Sequence, residues 1–309
     1  MTTLLLTHEA FLGHAVPEGH PERPDRLRVL QQVFSDEAFA PLMRAEAPLG
    51  GINLAELAHP AEYVATIEKL SPDRGFAGID PDTLMSPGTL EATYRSLGGV
   101  VRAVDAVFTG EAANAFLAAR PPGHHAEARR AMGFCFFNTA AIAARHAQKA
   151  YGAERIAIID WDVHHGNGTQ DIFWSDRDVM YASTHQMPLY PGTGERSETG
   201  EHGTIVNAPL RAGDGGEAFR AAMEAVILPR IAAHRPDLII ISAGFDAHRR
   251  DPLANLELEA GDFVRATRQL MEIADRHCEG RIVSVLEGGY DLVGLAESAS
   301  AHVTALMER

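Results

Sequence analysis

Short runs of consecutive apolar residues recur along the chain, and they constrain the fold more than any other feature. Two of them, Ile156–Ile159 and Leu238–Ile241, contain no polar residue at all. A strand with one face in water alternates polar and apolar residues, whereas an uninterrupted apolar run suits a parallel strand that helices cover on both faces. The sequence therefore predicts a parallel sheet buried inside the molecule.

The same alternation of strand and helix patterns runs along the whole chain. The predicted strands are Leu4–Leu6, Ala115–Ala118, Ile156–Ile159, Val179–Ser183, Thr204–Val206, Leu238–Ser242 and Ile282–Leu286. The predicted helices are Arg26–Phe34, Gly88–Val107, Thr139–Ala150, Glu217–His234, Asp262–His277 and Asp291–Met307. This alternation is typical of an α/β protein with a parallel sheet. No linker, repeat or low-complexity segment divides the chain, so residues 1–309 are expected to form a single domain.

Composition and charge narrow the classes of function. Of the 309 residues, 46 % are hydrophobic, which rules out disorder for the bulk of the chain. The formal net charge of −15 argues against nucleic acid or an anionic membrane as the main partner, and it is compatible with a cationic or neutral substrate or a bound metal cation. We expect a cytoplasmic protein, because the sequence shows neither a signal peptide nor an apolar stretch of about 18 residues. Cys135 and Cys278 fit a reducing compartment.

Residues able to bind a metal follow two of the apolar runs. Asp160, Asp162 and His164 come directly after Ile156–Ile159, and Asp246 follows the second run. If the chain stays extended, the first three side chains project to one side, and the carboxyl ends of parallel strands meet at one edge of the sheet. Carboxylate and imidazole ligands without thiolate suit Zn²⁺, Fe²⁺, Co²⁺ or Mn²⁺. The alternative is that these acids are solvated at a turn or cap a helix.

Three further residues could perform acid–base and oxyanion chemistry beside such a metal. His124 and His125 form a tandem pair after another predicted strand, and an imidazole can take a proton from water and pass it to an amine. Tyr290 follows two glycines after the last predicted strand, and its phenol could hydrogen-bond to a developing oxyanion. Taken alone, each motif also fits a structural role, with the histidines on the surface and the tyrosine packed on the core.

Together these motifs resemble the zinc-dependent histone deacetylase family, most closely the class II branch and its bacterial relatives, which include histone deacetylase-like and acetylpolyamine amidohydrolases. The resemblance extends from about residue 8 to the C-terminus. It depends on the order and spacing of Arg120-Pro121-Pro122-Gly123-His124-His125, Gly133-Phe134-Cys135-Phe136-Phe137-Asn138, Asp160-Trp161-Asp162-Val163-His164-His165-Gly166-Asn167-Gly168, Ser242-Ala243-Gly244-Phe245-Asp246-Ala247, Glu287-Gly288-Gly289-Tyr290 and, near the N-terminus, His20-Pro21-Glu22-Arg23-Pro24.

The resemblance implies an arginase/deacetylase-like three-layer αβα fold with a central eight-stranded parallel sheet. It implies one Zn²⁺ per chain on Asp162, His164 and Asp246. It further implies a structural K⁺ ion behind the zinc, in a site formed by Asp160, Asp162, His164, Ser183 and Thr184.

The same resemblance implies the catalytic roles. His125 would be the general base and acid with His124 assisting, and Tyr290 would polarise the scissile carbonyl. Asp160 would bond His124, and Asn167 would bond His125. A neutral Asn orients its imidazole with less shift of the pKa than an Asp would cause.

The substrate implied is an acetylated amine, either a small molecule or a peptide, that enters an acyl-lysine tunnel. Gly133, Phe134 and Tyr190 would line this tunnel, and a Tyr in place of the frequent Phe keeps the aromatic ring. Polyamine-selective relatives tend to carry an acid near the tunnel mouth, where this chain has Leu253. We therefore expect an amidohydrolase that releases acetate from lysine-like amides, with an acetylpolyamine amidohydrolase as the alternative.

Two more distant functions are also considered. A two-metal Mn²⁺ ureohydrolase needs further bridging carboxylates, but His248 and Gly166 stand at two positions where such a site would need them. A non-catalytic module that binds metal or acyl-amines has no positive support, because the candidate catalytic positions all hold competent residue types. The sequence leaves open whether the chain forms a homo-oligomer.

Overall fold

Ten strands are present in the computed structural model, which describes residues 2–308. They are β1 (Thr3–Thr7), β2 (Met43–Glu46), β3 (Ala77–Gly78), β4 (Leu84–Met85), β5 (Asn114–Leu117), β6 (Ile156–Asp160), β7 (Val179–Gln186), β8 (Ile205–Leu210), β9 (Leu238–Ala243) and β10 (Ile282–Leu286). Eight of them form one sheet in the order β2-β1-β5-β10-β9-β6-β7-β8, while β3 and β4 pair separately. All neighbours in the large sheet are parallel.

Helices flank the sheet and complete a three-layer αβα architecture. They are α1 (Asp25–Phe34), α2 (Ile52–Ala55), α3 (Ala61–Leu70), α4 (Thr89–Phe108), α5 (Thr139–Tyr151), α6 (Asn167–Phe173), α7 (Gly216–Ala222), α8 (Leu228–His234), α9 (Ala260–His277) and α10 (Leu292–Met307). One group packs α4 against α5, and another packs α10 against α1 and α9. None of the helices within residues 2–308 has the length and apolar composition that a bilayer span requires.

The apolar runs form the centre of the sheet, as the sequence predicts. Every residue of β6, β9 and β10 is buried. Capping residues define both ends of α5: the Asn138 side chain accepts a hydrogen bond from the Ala141 amide at its start, and Gly152 ends it with φ of 67°. The central strands β6, β9 and β10 are parallel, so their carboxyl ends lie at one edge of the sheet.

The sequence patterns predict seven strands of the sheet, and the eighth is the edge strand β2. Its four residues include Arg44 and Glu46 and alternate between half-buried and exposed, so they lack the apolar run that marks the inner strands. The helix predicted over Glu217–His234 is instead broken by a π turn at Met223–Ile227, just before Pro229. A proline has no N–H to donate, so regular hydrogen bonding is interrupted at this point.

Candidate active site

The candidate metal ligands follow β6 and β9, which are neighbours in the sheet. The strand β6 ends at Asp160, so the chain does not stay extended through His164 as the alternation of side chains supposes. Instead it bends: the Asp162 amide donates to Asp160 Oδ1 at 3.1 Å, and the His164 amide donates to Asp162 Oδ1 at 2.8 Å. The carboxylates themselves hold the bend that brings the ligands together.

Asp162, His164 and Asp246 form one buried cluster whose ligand atoms all lie within 4.8 Å of one another. The Nδ1 atom of His164 is 3.2 Å from Asp162 Oδ1 and 3.1 Å from Asp246 Oδ2. Burial and the charge of Asp162 raise the pKa of Asp246 to about 7. Burial opposes a positive charge on His164, but hydrogen bonds to Asp162 and Asp246 outweigh it and raise its pKa to about 10.

These contacts bring two buried carboxylates and an imidazole together as candidate ligands of a metal cation. Two carboxylates and one imidazole, with no thiolate, fit Zn²⁺ and similar divalent ions. Backbone amides complete the arrangement, since Val163 N donates to Asp246 Oδ1 at 2.8 Å and Gly288 N donates to Asp162 Oδ2 at 2.8 Å. A Cβ atom on Gly288 would lie 2.1 Å from Asp246 Oδ2, so only glycine leaves room here.

The histidine pair lies beside this cluster, and each ring has a different partner. His124 Nδ1 is 3.0 Å from Asp160 Oδ2, whereas His125 Nδ1 is 2.8 Å from Asn167 Oδ1. Burial alone would lower the pKa of His124, but the charges of Asp162 and Asp160 hold it well above its ordinary value. Burial and the charge of His124 hold the pKa of His125 well below its ordinary value. The two adjacent rings thus favour opposite protonation states.

The tautomer of His125 follows from its partner. The Asn167 amide nitrogen donates to Glu127 Oε1 at 2.7 Å, which turns the amide oxygen towards His125. His125 Nδ1 must then carry the proton and donate it, and Nε2 of the neutral ring is left as an acceptor. This is the state that a general base requires.

Tyr290 closes the site on the side of β10. It is 8 % exposed, and the Arg26 guanidinium lies over its ring at 4.9 Å. Its amide donates to Asp251 Oδ2 at 2.7 Å, which anchors the backbone of the turn. Burial holds the pKa of the phenol well above its ordinary value. The hydroxyl therefore keeps its proton and is available as a hydrogen-bond donor.

A cavity of about 350 Å³ leads from the surface to these residues. It is lined by His20, Pro21, Pro81, Asp82, His125, Gly133, Phe134, His164, Leu189, Tyr190, Leu253 and Tyr290. All four residues predicted for the tunnel are in this lining. The Tyr190 ring lies edge-on to His125 at 5.1 Å, and Phe134 lies edge-on to Tyr290 at 5.9 Å. The cavity thus has aromatic walls close to His125 and Tyr290.

Three of the five residues predicted for potassium lie on the strands β6 and β7, and the other two, Asp162 and His164, belong to the cluster itself. Asp160 and Ser183 are register partners on β6 and β7, and Thr184 is the next residue of β7. Asp160, Ser183 and Thr184 are all buried, and Ser183 Oγ lies 2.8 Å from His185 Nδ1. The potassium site stays a prediction.

A buried ion-pair network behind Tyr290 is a feature that the sequence reasoning did not identify. Glu22 bonds Arg26 at 2.9 Å and Arg120 at 2.7 Å, and all three side chains are fully buried. Arg26 also donates to the carbonyls of Glu287 and Gly289 at 2.5 and 2.6 Å. In the sequence, the charged segment His20–Arg26 is the only sign of this network. Its position along the chain does not indicate that it contacts Arg120.

The parallel sheet and the buried cluster at its carboxyl edge define an α/β protein with a candidate metal centre. A family model described as the histone deacetylase domain matches residues 20–306. The chain therefore belongs to the histone deacetylase family.

Individual relatives agree with this assignment. A probable deacetylase of Archaeoglobus fulgidus is 40 % identical over 99 % of this chain and 86 % of its own length. A histone deacetylase-like amidohydrolase of Pseudomonas aeruginosa is 40 % identical over 88 % of this chain and 73 % of its own length. Among solved structures, the HDA15 HD domain superposes with a TM-score of 0.94 at 36 % identity, covering 100 % of this chain and 88 % of that one. Family membership supports hydrolase activity of the deacetylase or amidohydrolase type.

Proposed function

We propose that the protein is a zinc-dependent deacetylase that hydrolyses N-acyl amides of lysine-like amines and releases acetate. The observation that carries this proposal is the lining of one cavity. His164 of the metal cluster, the base candidate His125 and the donor Tyr290 all face the same space. A scissile amide placed there would meet all three groups, as amide hydrolysis requires.

Asp162, His164 and Asp246 are the residues that would hold the zinc. When bound, Zn²⁺ would supply Lewis acidity towards the amide carbonyl and acidify the attacking water. Since two carboxylates offset its charge, the ion would acidify water less than a three-histidine site does. A separate base is therefore needed.

His125 supplies that base. Its Nε2 accepts the proton of the attacking water and then passes a proton to the departing amine. The hydrogen bond to Asn167 holds the ring in the competent tautomer. His124, kept protonated by Asp160 and Asp162, places positive charge near the developing negative charge. The Tyr290 hydroxyl donates a hydrogen bond to the carbonyl oxygen, which grows stronger as that oxygen becomes an oxyanion.

The tunnel supports a substrate with an extended methylene chain. Phe134 and Tyr190 would grip the chain from two sides, and Leu253 at the cavity adds apolar surface without charge. These features favour acyl-lysine. The second candidate, an acetylpolyamine, is supported by Asp82, whose carboxylate also lines the cavity and would attract an ammonium group. We further propose that residues 1–309 act as one deacetylase domain. We also propose that a potassium ion binds in a site formed by Asp160, Asp162, His164, Ser183 and Thr184.

The test is release of free amine from an acetyl-lysine peptide, trifluoroacetyl-lysine, acetylputrescine and acetylspermidine, with and without a zinc chelator. The proposal of a metalloamidohydrolase is supported if the chelator abolishes turnover and added Zn²⁺ restores it. The variant His164→Ala should lose activity and metal together, while His202→Ala, at an exposed position, should match the wild type. Zinc-loaded protein that turns over none of the amides would contradict the proposal.

Leu253→Glu separates the two substrate classes. A carboxylate at this position would attract the distal ammonium of acetylspermidine, so kcat/KM for this substrate should rise relative to the acetyl-lysine peptide. Comparable wild-type kcat/KM values for the two substrates would contradict the preference for acyl-lysine.

A further inference from the structure

The side chain of Glu287 is an acid that is fully buried and has no role in the proposed mechanism. It follows β10, the strand that lies between β5 and β9 in the sheet. Its Oε2 accepts hydrogen bonds from two successive backbone amides, Gly123 N at 2.6 Å and His124 N at 3.2 Å. A single carboxylate oxygen therefore holds the loop that presents the histidine pair.

The rest of Glu287 is also held in place. Ser242 Oγ donates to the other carboxylate oxygen, Oε1, at 3.3 Å. The Glu287 amide donates to the Ala243 carbonyl at 3.1 Å, and its own carbonyl accepts from Arg26 at 2.5 Å. The acceptor offered to Gly123 and His124 is thus fixed from three sides by β9 and by a buried arginine.

The same backbone segment continues into the remaining parts of the site. Gly288 donates its amide to Asp162 Oδ2 at 2.8 Å, and Tyr290 comes two residues later. The Glu287 side chain consequently joins the segment that carries Tyr290 to the loop that carries His124 and His125. Sheet hydrogen bonds pair β5 with β10 only as far as Leu117 and Val285, so they do not reach this loop.

We propose that Glu287 is a positioning residue that sets the distance of the His124–His125 pair from Tyr290 and Asp162. This inference rests on the proposed deacetylase function. Removing the acceptor would leave two buried N–H groups unsatisfied, and the loop would shift to satisfy them. A shift of about 1 Å in a catalytic group can cost about 10²-fold in rate.

The role depends on the reach of the side chain and not on its charge. Burial raises the pKa of Glu287 to about 7, so the carboxyl can carry a proton near neutral pH. That proton can reside on Oε1, next to Ser242, while Oε2 continues to accept from both amides. A glutamine would reproduce this arrangement, since its oxygen can face Gly123 and His124 and its NH₂ group can face Ser242.

Two variants separate the effect of the length of the Glu287 side chain from the effect of its charge. Glu287→Gln keeps the reach and loses the charge, whereas Glu287→Asp keeps the charge and is shorter by one methylene. We expect kcat of Glu287→Gln to stay within about threefold of wild type and kcat of Glu287→Asp to fall about 10²-fold. KM and bound metal should stay near wild type in both variants, because Glu287 itself belongs neither to the cavity lining nor to the metal cluster.

Three results on activity and bound metal would overturn the inference: full activity in Glu287→Asp, loss of activity in Glu287→Gln with Glu287→Asp intact, or a loss of metal that parallels the loss of kcat. Because the charge of Glu287 acts on the pKa of His124 itself, the readout independent of turnover is the pair of ¹⁵N resonances of the His125 ring. They should move in Glu287→Asp and stay in Glu287→Gln. If the wild type hydrolyses no amide while the resonances respond in this way, the deacetylase proposal fails and the positioning role stands. Unmoved resonances in Glu287→Asp would refute the positioning role itself.

Discussion

His125 Nδ1 lies 2.8 Å from Oδ1 of Asn167, so the candidate base is paired with a neutral amide. Its neighbour His124 is paired with the carboxylate of Asp160 at 3.0 Å. A carboxylate partner stabilises an imidazolium, whereas an amide oxygen orients the ring and adds little charge. The structure thus gives two adjacent imidazoles different protonation preferences, and the one that lines the tunnel is the neutral one.

Replacing Asn167 with Asp should change the pH dependence of activity. The new carboxylate would raise the pKa of His125, so the base would stay protonated to higher pH, and the acidic limb of kcat/KM should move up by roughly one unit or more. The measurement is a pH–rate profile on an acetyl-lysine substrate. Asn53→Asp, at an exposed position, provides the matched control. An unmoved acidic limb in Asn167→Asp would show that His125 does not limit the reaction.

Tyr290→Phe should remove one hydrogen bond to the oxyanion. We expect kcat to fall about 10²- to 10³-fold while bound metal stays at the wild-type level, because the phenol is not a member of the metal cluster. Metal analysis and steady-state kinetics on the same preparation measure both quantities. Tyr151→Phe, which loses an exposed hydroxyl bonded to Asp105, should retain full activity. A Tyr290→Phe enzyme with wild-type kcat would exclude the oxyanion role.

Gly133→Ala should damage the site through a steric clash. A Cβ atom on Gly133 would lie 2.5 Å from Cδ2 of the His125 ring, so the ring or the tunnel wall must move. We expect kcat to fall about tenfold or more. Gly152→Ala is a close control, because φ is also positive (67°) but no atom lies within 4 Å of the added Cβ. It should lose some stability and keep its kcat; equal losses of kcat in both variants would point to backbone strain instead.

Glu22→Gln should strongly destabilise the fold. Burial by itself would raise the pKa of Glu22, but Arg120 and Arg26 hold it well below its ordinary value. Without the carboxylate, two buried guanidinium groups lose their counter-charge, which costs about 3–5 kcal/mol of unfolding free energy. Denaturant unfolding at pH 7 measures the difference. Asp25→Asn, which breaks an exposed pair with Arg28, should leave the unfolding free energy nearly unchanged.

His302 should make the fold sensitive to acid. The ring lies between Thr267 Oγ1 at 2.7 Å and Ser284 Oγ at 2.9 Å, and burial lowers its pKa to about 3. Above pH 6.5 neither the folded nor the unfolded ring is charged. As pH falls below 6.5, the unfolded chain binds a proton that the folded protein does not, so stability decreases by about 1.4 kcal/mol per pH unit until the folded ring titrates.

The variant His302→Gln tests this dependence. Glutamine can still face Thr267 and Ser284 but cannot titrate, so the slope of unfolding free energy against pH between 6 and 4 should be smaller by about 1.4 kcal/mol per unit. Denaturant unfolding at a series of pH values gives the slope. His202→Gln, at an exposed position, should not alter it. An unchanged slope in His302→Gln would mean that other groups control acid unfolding.

The sequence by itself determined the class of fold and the residue types of the site. Uninterrupted apolar runs such as Ile156–Ile159, which are short and bounded by loop residues, favour strands covered on both faces, and this local property is visible without any tertiary information. The motifs at the strand ends predict Asp162, His164 and Asp246 as metal ligands, because parallel strands end at a common edge of the sheet. The match of residues 20–306 to the histone deacetylase domain agrees with this fold class and with these motifs.

The tertiary structure decided the contacts between groups that are distant along the chain. The edge strand β2 is too short and too polar to show a local pattern, and its pairing with β1 is what makes it a strand. The bend after Asp160 depends on hydrogen bonds that only the folded geometry reveals. Glu22 meets Arg120 and Glu287 meets Gly123 across 98 and 164 residues. Periodicity and motif spacing report on neighbours along the chain, whereas burial and packing choose these partners.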